Sequence, residues 1–555
     1  MSEKRFNLTR RKFMAVSSAA IAAPILMNMA GKVPEVNAAE KEKTYDFIDK
    51  KSCDLVVLGG GGSGLVAAVR AAQLTGKKVI VLEKDSETGG GARGATGVRY
   101  FGSKWQAKHN EKDTTVEYAR KQMDSVYWKL EEKLVYNLVR GTGQFLDWMC
   151  EEVEGIEDLF TTRGAMAAEW PGPEMDQQKS GKKMGLFVMD TMKEKCKKYG
   201  VEVLTKHPVV DVEVKNGKIV AAIAKSEKGY VRVACKACIM SIGSWINNKE
   251  IVKKYHPQFA AVQPYMGTSS PHMSSNYTGD GISLAEKVGA FLDYDSFVLR
   301  LMGPMHIFST GKVLGAMTKS SYIIEVNLDG KRYCSEPAEH MGTFNSGIVQ
   351  MAQHRGMSYA IFDDNTIAAT LKKQKSAQTG KSADQGLPMM PGMGGGLPDT
   401  MEEIQSDLKQ NLAKSSKNMF QADTLEELAD KTGVNKKNFI ETVKKYNECC
   451  EKGLDSEFFK DKDNLVPINK PPYYASQGIL GTDGAFGGIR VNPDIQAYKS
   501  GGGLIEGLYV TGDFASGRHV NLGGVKMQVI NDLSWAFSSG FLAGTNAGKY
   551  LESLA

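Results

Sequence analysis

Residues 53–84, CDLVVLGGGGSGLVAAVRAAQLTGKKVIVLEK, restrict the fold more than any other part of the chain. An apolar run of strand character leads into Gly59-x-Gly61-x-x-Gly64. A helix-forming stretch follows, and a second apolar run ends on Glu83. This is a βαβ unit. Gly59 permits the tight turn, Gly61 lets a pyrophosphate approach the backbone, and Gly64 lets helix and strand pack closely. The helix N-terminus attracts the phosphate charge. Glu83, nineteen residues after Gly64, stands where a carboxylate binds a ribose hydroxyl. The unit predicts a doubly wound α/β domain that binds a dinucleotide.

A chain of 555 residues has room for a second domain beside that one. Apolar residues make up 42% and charged residues 24%, which excludes a disordered chain. The net charge is +6, but residues 1–38 carry +4 of it. The remainder holds 64 basic against 62 acidic residues, so nothing electrostatic points to nucleic acid. Eight cysteines are present and none lies in a C-x-x-C-H haem site. Cys235 and Cys238 stand in the strand-like run VRVACKACIMSIG, where positions three apart face opposite sides. Buried thiols are expected, and no metal.

The N-terminus reads as an address. Thr9-Arg10-Arg11-Lys12-Phe13-Met14 precedes a small apolar run, and Val36-Asn37-Ala38 offers a cleavage site. The paired arginines are similar to the twin-arginine class of export signals. Residues 1–38 are therefore expected to be a leader, with the mature protein in the periplasm or another extracytoplasmic space. No stable membrane insertion is expected after cleavage. Residues 39–51 read as a polar linker. Residues 115–155 and 423–460 read as helical, and residues 201–243 as strands with a hairpin at Lys215-Asn216-Gly217. Residues 387–397 read as a Gly/Pro/Met-rich loop, and residues 473–555 as strands ending in a helix.

Further motifs follow the acidic residue: Gly89-Gly90-Gly91, Ala95-Thr96-Gly97, Asn276-Tyr277-Thr278-Gly279-Asp280-Gly281 and Leu508-Tyr509-Val510-Thr511-Gly512-Asp513. With CIMSIGSWINN and NLDGKRYCSE, they give a chain that resembles the flavoprotein family of fumarate reductases, succinate dehydrogenases, urocanate reductases and 3-oxosteroid dehydrogenases. The resemblance runs from about Cys53 to Tyr550. It implies a Rossmann-like FAD-binding domain, α/β in class, formed by residues 52–303 and 481–555. An α+β capping domain is inserted at 304–480. It also implies non-covalent FAD. The family's cofactor residues fall on Gly59, Gly61, Gly62, Ser63, Gly64, Glu83 and Lys84. They continue on Gly90, Gly91, Ala92, Thr96, Gly97, Asp280 and Asp513.

The substrate side departs from the dicarboxylate reductases. Their proton-donating arginine falls on His340, four residues after Glu336. Their first carboxylate-binding histidine falls on Arg300. The block at 481–488 has no histidine, and near their last arginine stand Arg518 and His519. Tyr474 lies where 3-oxosteroid dehydrogenases resemble this chain with a catalytic tyrosine. Two carboxylates need several cationic donors. With few of them here, a monocarboxylate, an enone or an aromatic enoate is expected rather than fumarate.

The expected activity is an exported, FAD-dependent respiratory reductase of an activated C=C bond, with hydride from the flavin and a proton from a protein acid. The alternative is a 3-oxosteroid-type dehydrogenase running the reverse reaction. With no haem site in the sequence, electrons are expected from a partner such as a c-type cytochrome.

Overall fold

Four aliphatic residues closed by glycine make the central strand. The computed structural model describes residues 44–163, 170–260, 277–305, 312–318, 320–336, 345–378, 398, 400–414, 417–517 and 531–554. The chain divides into two units, Met1–Asp46 and Phe47–Ala555, and every element named here belongs to the second. Strand β1 is Phe47–Ser52 and β2 is Leu55–Leu58, the latter buried at every position. Helix α1, Gly62–Thr75, stops at Gly76, whose φ of 62° closes a left-handed cap. Strand β3, Val79–Leu82, completes the βαβ unit.

Helices α2, Thr115–Ser125, and α3, Glu132–Glu152, cover the expected helical stretch. Strand β4, Glu202–Leu204, lies parallel to β3. Strands β5, Val209–Lys215, and β6, Lys218–Lys225, form the expected hairpin. Its two turn residues, Asn216 and Gly217, both have positive φ, the turn whose twist matches that of the strands. Strands β7, Tyr230–Ala234, and β8, Ala237–Met240, follow.

Two expectations are corrected here. Phe47–Ser52 is a strand rather than linker, pairing parallel with β7. Four of its six residues are exposed, so the polar look of that segment reflects an edge strand held by backbone bonds. Cys235 and Cys238 do not share one strand. Cys238 lies in β8 and Cys235 in the corner between β7 and β8, which belong to different sheets. Burial pushes both thiols well above their ordinary pKa. No group of ligands able to hold a metal occurs among the described residues.

Helix α4 is Gly281–Val288 and strand β9 is Val298–Met305. The chain continues through β10, Ile324–Asn327, β11, Met357–Asp363, α5, Asp364–Gln378, and α6, Met401–Lys414. Then come β12, Met419–Ala422, α7, Leu425–Thr432, and α8, Lys436–Lys452. Strand β13, Tyr473–Phe486, is fourteen residues long and leads into the last part of the chain. Strands β14, Gln496–Tyr498, and β15, Leu504–Val510, and helix α9, Asp532–Ser553, complete it.

The main sheet has the order β14-β15-β8-β2-β3-β4, parallel except for β14. A second sheet, β1-β7-β6-β5, stands beside it. A third sheet, β9-β13-β11-β10 with β12 also on β13, is antiparallel. Apolar clusters lie on its two faces, one around Phe362 and Tyr474, the other around Tyr359 and Phe439. The segment expected at 387–397 lies outside the described residues. No helix among the described residues is long and apolar enough to cross a membrane.

Helix α9 packs on α1 through glycines four apart. A Cβ on Gly540 would lie 2.4 Å from the Ser63 carbonyl, and one on Gly544 2.4 Å from that of Ala67. The two backbones touch, which fixes the first turn of α1 from behind.

His256 gives the fold a pH dependence. Its ring stacks on Trp245 at 5.6 Å, and Nε2 donates to the Phe297 carbonyl at 3.1 Å. Burial lowers its pKa to about 4, against the weaker opposing pull of that carbonyl. The unfolded chain takes up the proton near pH 6.5 while the folded one refuses it. The stability that this histidine contributes is whole above pH 6.5 and is lost as pH falls toward 4. The expected loss is on the order of 2–3 kcal/mol. Urea unfolding at pH 7 and pH 4.5 measures it, and His256→Phe should flatten the difference.

Candidate functional site

The carboxyl ends of β2, β3, β8 and β15 open onto one cleft of about 1300 Å³, mouth included. This is where parallel sheets bind ligands, because the order reverses between β2 and β8 and the loops there part. Its floor is the turn after β2. Gly59 has φ of +100°, and a Cβ there would meet the Ser241 carbonyl at 2.2 Å. A Cβ on Gly64 would meet the Gly59 carbonyl at 2.0 Å. Gly61 differs: a Cβ on it meets nothing within 4 Å and faces the open cleft. Gly61 caps α1 with no side-chain acceptor, and the first turn holds no acid. The leading N–H groups and the positive end of the helix therefore face the cleft.

One wall is built on Glu83. Its Oε2 accepts from the Gly60 N–H at 2.7 Å and its Oε1 from that of Asp85 at 2.8 Å. Burial raises its pKa, against those two bonds. Next to it, Lys84 Nζ donates to Asp280 Oδ2 and Thr278 Oγ1, both at 2.9 Å. Thr278 donates in turn to Asp280 Oδ1 at 2.7 Å. The pair joins the end of β3 to the loop that starts α4.

Gly90, Gly91 and Ala92 line the same cleft with Tyr277, Phe486 and Asp513, and with Asp532 in the first turn of α9. Tyr277 packs on Gly243. Burial first, then the charges of Asp513 and Asp532, push its hydroxyl well above the ordinary pKa.

Of the residues expected at the cofactor, all but Gly64, Thr96 and Gly97 line this cleft. Gly64 serves packing, and Gly97 lies against Trp170 while its carbonyl accepts from Asn531 at 2.6 Å. Sequence reading missed Ser241, Tyr277 and Asp532. The first two stand inside motifs already singled out, CIMSIGSWINN and Asn276-Tyr277-Thr278. Asp532 carries no local signal.

The catalytic expectations fare differently. His340, Arg518 and His519 lie outside the described residues. Arg300 falls on β9 opposite Gly484, two residues along from Val298, whose partner Phe486 lines the cleft. Tyr474 is a core residue. It is fully buried, stacked on Phe362 at 5.1 Å, and its hydroxyl donates to Gln405 at 3.3 Å. The structure does not bring it to the cleft, because β13 is long and Tyr474 sits at the far end from Phe486.

A family model described as "FAD binding domain" matches residues 54–524. The chain belongs to this family. As a member of the FAD binding domain family, it is an FAD-binding protein. The cleft suits FAD, since free helix N–H groups, an open Gly61 and a fixed carboxylate are what a dinucleotide requires. An "NADH:acrylate oxidoreductase" of Vibrio harveyi is 26% identical, covering 90% of this chain but 50% of its own length. The chain thus spans about half of that relative. A "Vinyl phenol reductase" of Lactiplantibacillus plantarum is 25% identical over 90% of this chain and 97% of the relative. The open conformation of a flavocytochrome c3 fumarate reductase shares the fold, with TM-score 0.64 and 22% identity over 90% of this chain and 79% of that one.

Proposed function

We propose that this protein reduces an activated carbon–carbon double bond, in an enoate or an enone, with electrons from a separate redox protein such as a c-type cytochrome. One observation carries the reading. The chain that forms an FAD cleft is similar, over 90% of its length, to proteins named for the reduction of acrylate and of vinyl phenol.

FAD, when bound, supplies hydride from N5. The chain's own residues do the rest. Gly61, the first turn of α1 and Glu83 hold the dinucleotide. The Lys84–Asp280 pair keeps the loop before α4 against the end of β3. The carbon that receives no hydride needs a proton. His340 is the proposed acid, since a histidine exchanges protons near neutrality. Four residues before it in sequence, Glu336 is held in a buried ion cluster. Arg300 is the proposed carboxylate ligand. His340→Gln is expected to lower kcat about a hundredfold with flavin content unchanged. Near-normal turnover would remove His340 from the mechanism.

The deciding test is anaerobic. The FAD-loaded protein without residues 1–38 receives reduced viologen and a panel of fumarate, urocanate, cinnamates, acrylates and steroid enones. Dye oxidation by a monocarboxylate or enone is the expected result, with fumarate slower. Silence across the panel with flavin bound and reducible would overturn the reductase reading. For the proposed export, Arg10→Lys with Arg11→Lys should leave the uncleaved protein in the cytoplasm.

A further inference from the structure

Three hydroxyls meet beneath the first turn of α1. Thr511 Oγ1 donates to Ser63 Oγ at 3.0 Å, and Ser63 Oγ lies 2.7 Å from Ser241 Oγ. Thr511 follows β15, Ser241 follows β8, and Ser63 is the second residue of α1. All three are buried, yet Ser63 and Ser241 border the cleft while Thr511 stands behind them.

Three hydroxyls carry three protons, and their two mutual bonds use two. The Thr511 proton is spent on Ser63, so the remaining one belongs to Ser63 or Ser241. Among the described residues no carbonyl or carboxylate accepts from either. The neighbours leave little freedom: a Cβ on Gly512 would lie 2.7 Å from Ser63 Oγ, and one on Gly64 2.9 Å from Ser241 Oγ. A buried donor with no partner is costly. The open side is the cleft, beside helix N–H groups already suited to an anion.

We propose that Thr511, Ser63 and Ser241 form a relay that presents one hydroxyl proton to the pyrophosphate of FAD. It rests on FAD lying in this cleft over α1. Each hydroxyl that accepts one bond donates the next more strongly, so Thr511 polarises the pair from behind. A bond to a charged acceptor is stronger than one between neutral groups. The serine that holds the outward proton is the cofactor contact, and the other serine and Thr511 are positioning residues.

FAD titration of the apoprotein by flavin fluorescence, with ³¹P NMR of the bound cofactor, tests this. Ser63→Ala and Ser241→Ala should each weaken FAD binding about tenfold and shift the bound pyrophosphate resonances. Thr511→Val should weaken it about threefold, and Thr511→Ser should restore it. Apoprotein melting temperatures within about 2 °C of wild type separate these effects from unfolding. Unchanged affinity in both serine variants would overturn the relay. So would lost affinity with unmoved ³¹P signals, which would make the serines packing groups. Wild-type protein that takes up no FAD would instead overturn the placing of FAD in this cleft.

Discussion

Gly61→Ala should leave the apoprotein as stable as wild type and weaken FAD binding about a hundredfold or more. Gly59→Ala, two residues away, should damage both. The reason lies in where each new methyl goes. On Gly61, with φ of −75°, an L-residue is unstrained, and its Cβ meets no protein atom within 4 Å. The methyl occupies only the space in which phosphate oxygens approach the backbone. On Gly59 the φ of +100° is itself unfavourable, and the Cβ lies 2.2 Å from the Ser241 carbonyl. To relieve that contact, β2 and β8 must part at the centre of the sheet. Strained φ alone costs about 1–3 kcal/mol, and the backbone overlap takes the total to about 3 kcal/mol or more. Melting temperature and flavin content of both variants check the contrast. A Gly61→Ala protein that retains FAD at full affinity would show that the pyrophosphate does not lie over this turn.

The contrast also marks how far the sequence is legible. The βαβ unit was readable because each of its constraints is local: a short aliphatic strand, a turn that only glycine tolerates, and an acid at the end of the next strand. The Asn216-Gly217 hairpin was readable for the same reason. Phe47–Ser52 was not, because an exposed edge strand has no buried face to give it a period of two. Cys235 and Cys238 misled because an apolar run can turn a corner between two sheets without a break in composition.

For the site, legibility followed the distance between contributing segments. Gly59 and Glu83 come from one motif. Tyr277 and Asp532 meet across more than 250 residues of sequence, and only the order of strands in the sheet brings them to one cleft. Tyr474 shows the opposite error. Position within a motif suggested chemistry, whereas a fourteen-residue strand carries one end to the cleft and leaves the other in an apolar core.

The part of the fold around the antiparallel sheet should depend most on one carboxylate. Glu336→Ala is expected to destabilise it by about 3–5 kcal/mol. Arg332 clasps Glu336 through Nε at 2.9 Å and Nη2 at 2.6 Å, and reaches Asp455 at 2.9 Å. Lys460 Nζ lies 3.7 Å from Glu336 and donates to the Ile323 carbonyl at 2.5 Å. All four side chains are almost wholly buried. Burial lowers the pKa of Lys460, while for Arg332 it is outweighed by the two carboxylates, which raise it. Two cations thus share two acids in the buried interior. Without Glu336, Arg332 keeps only Asp455 and Lys460 loses its nearest counter-charge, the situation in which a buried ion is most expensive. Glu336→Gln keeps an acceptor for Arg332 and should cost about half as much. If residues 304–480 form the separate capping domain that the resemblance implies, unfolding of the Glu336→Ala variant in urea should split into an early transition for that domain and a later one for the FAD domain. Flavin should stay bound through the first. A single transition at the wild-type midpoint would mean that the cluster contributes nothing net, as buried pairs sometimes do.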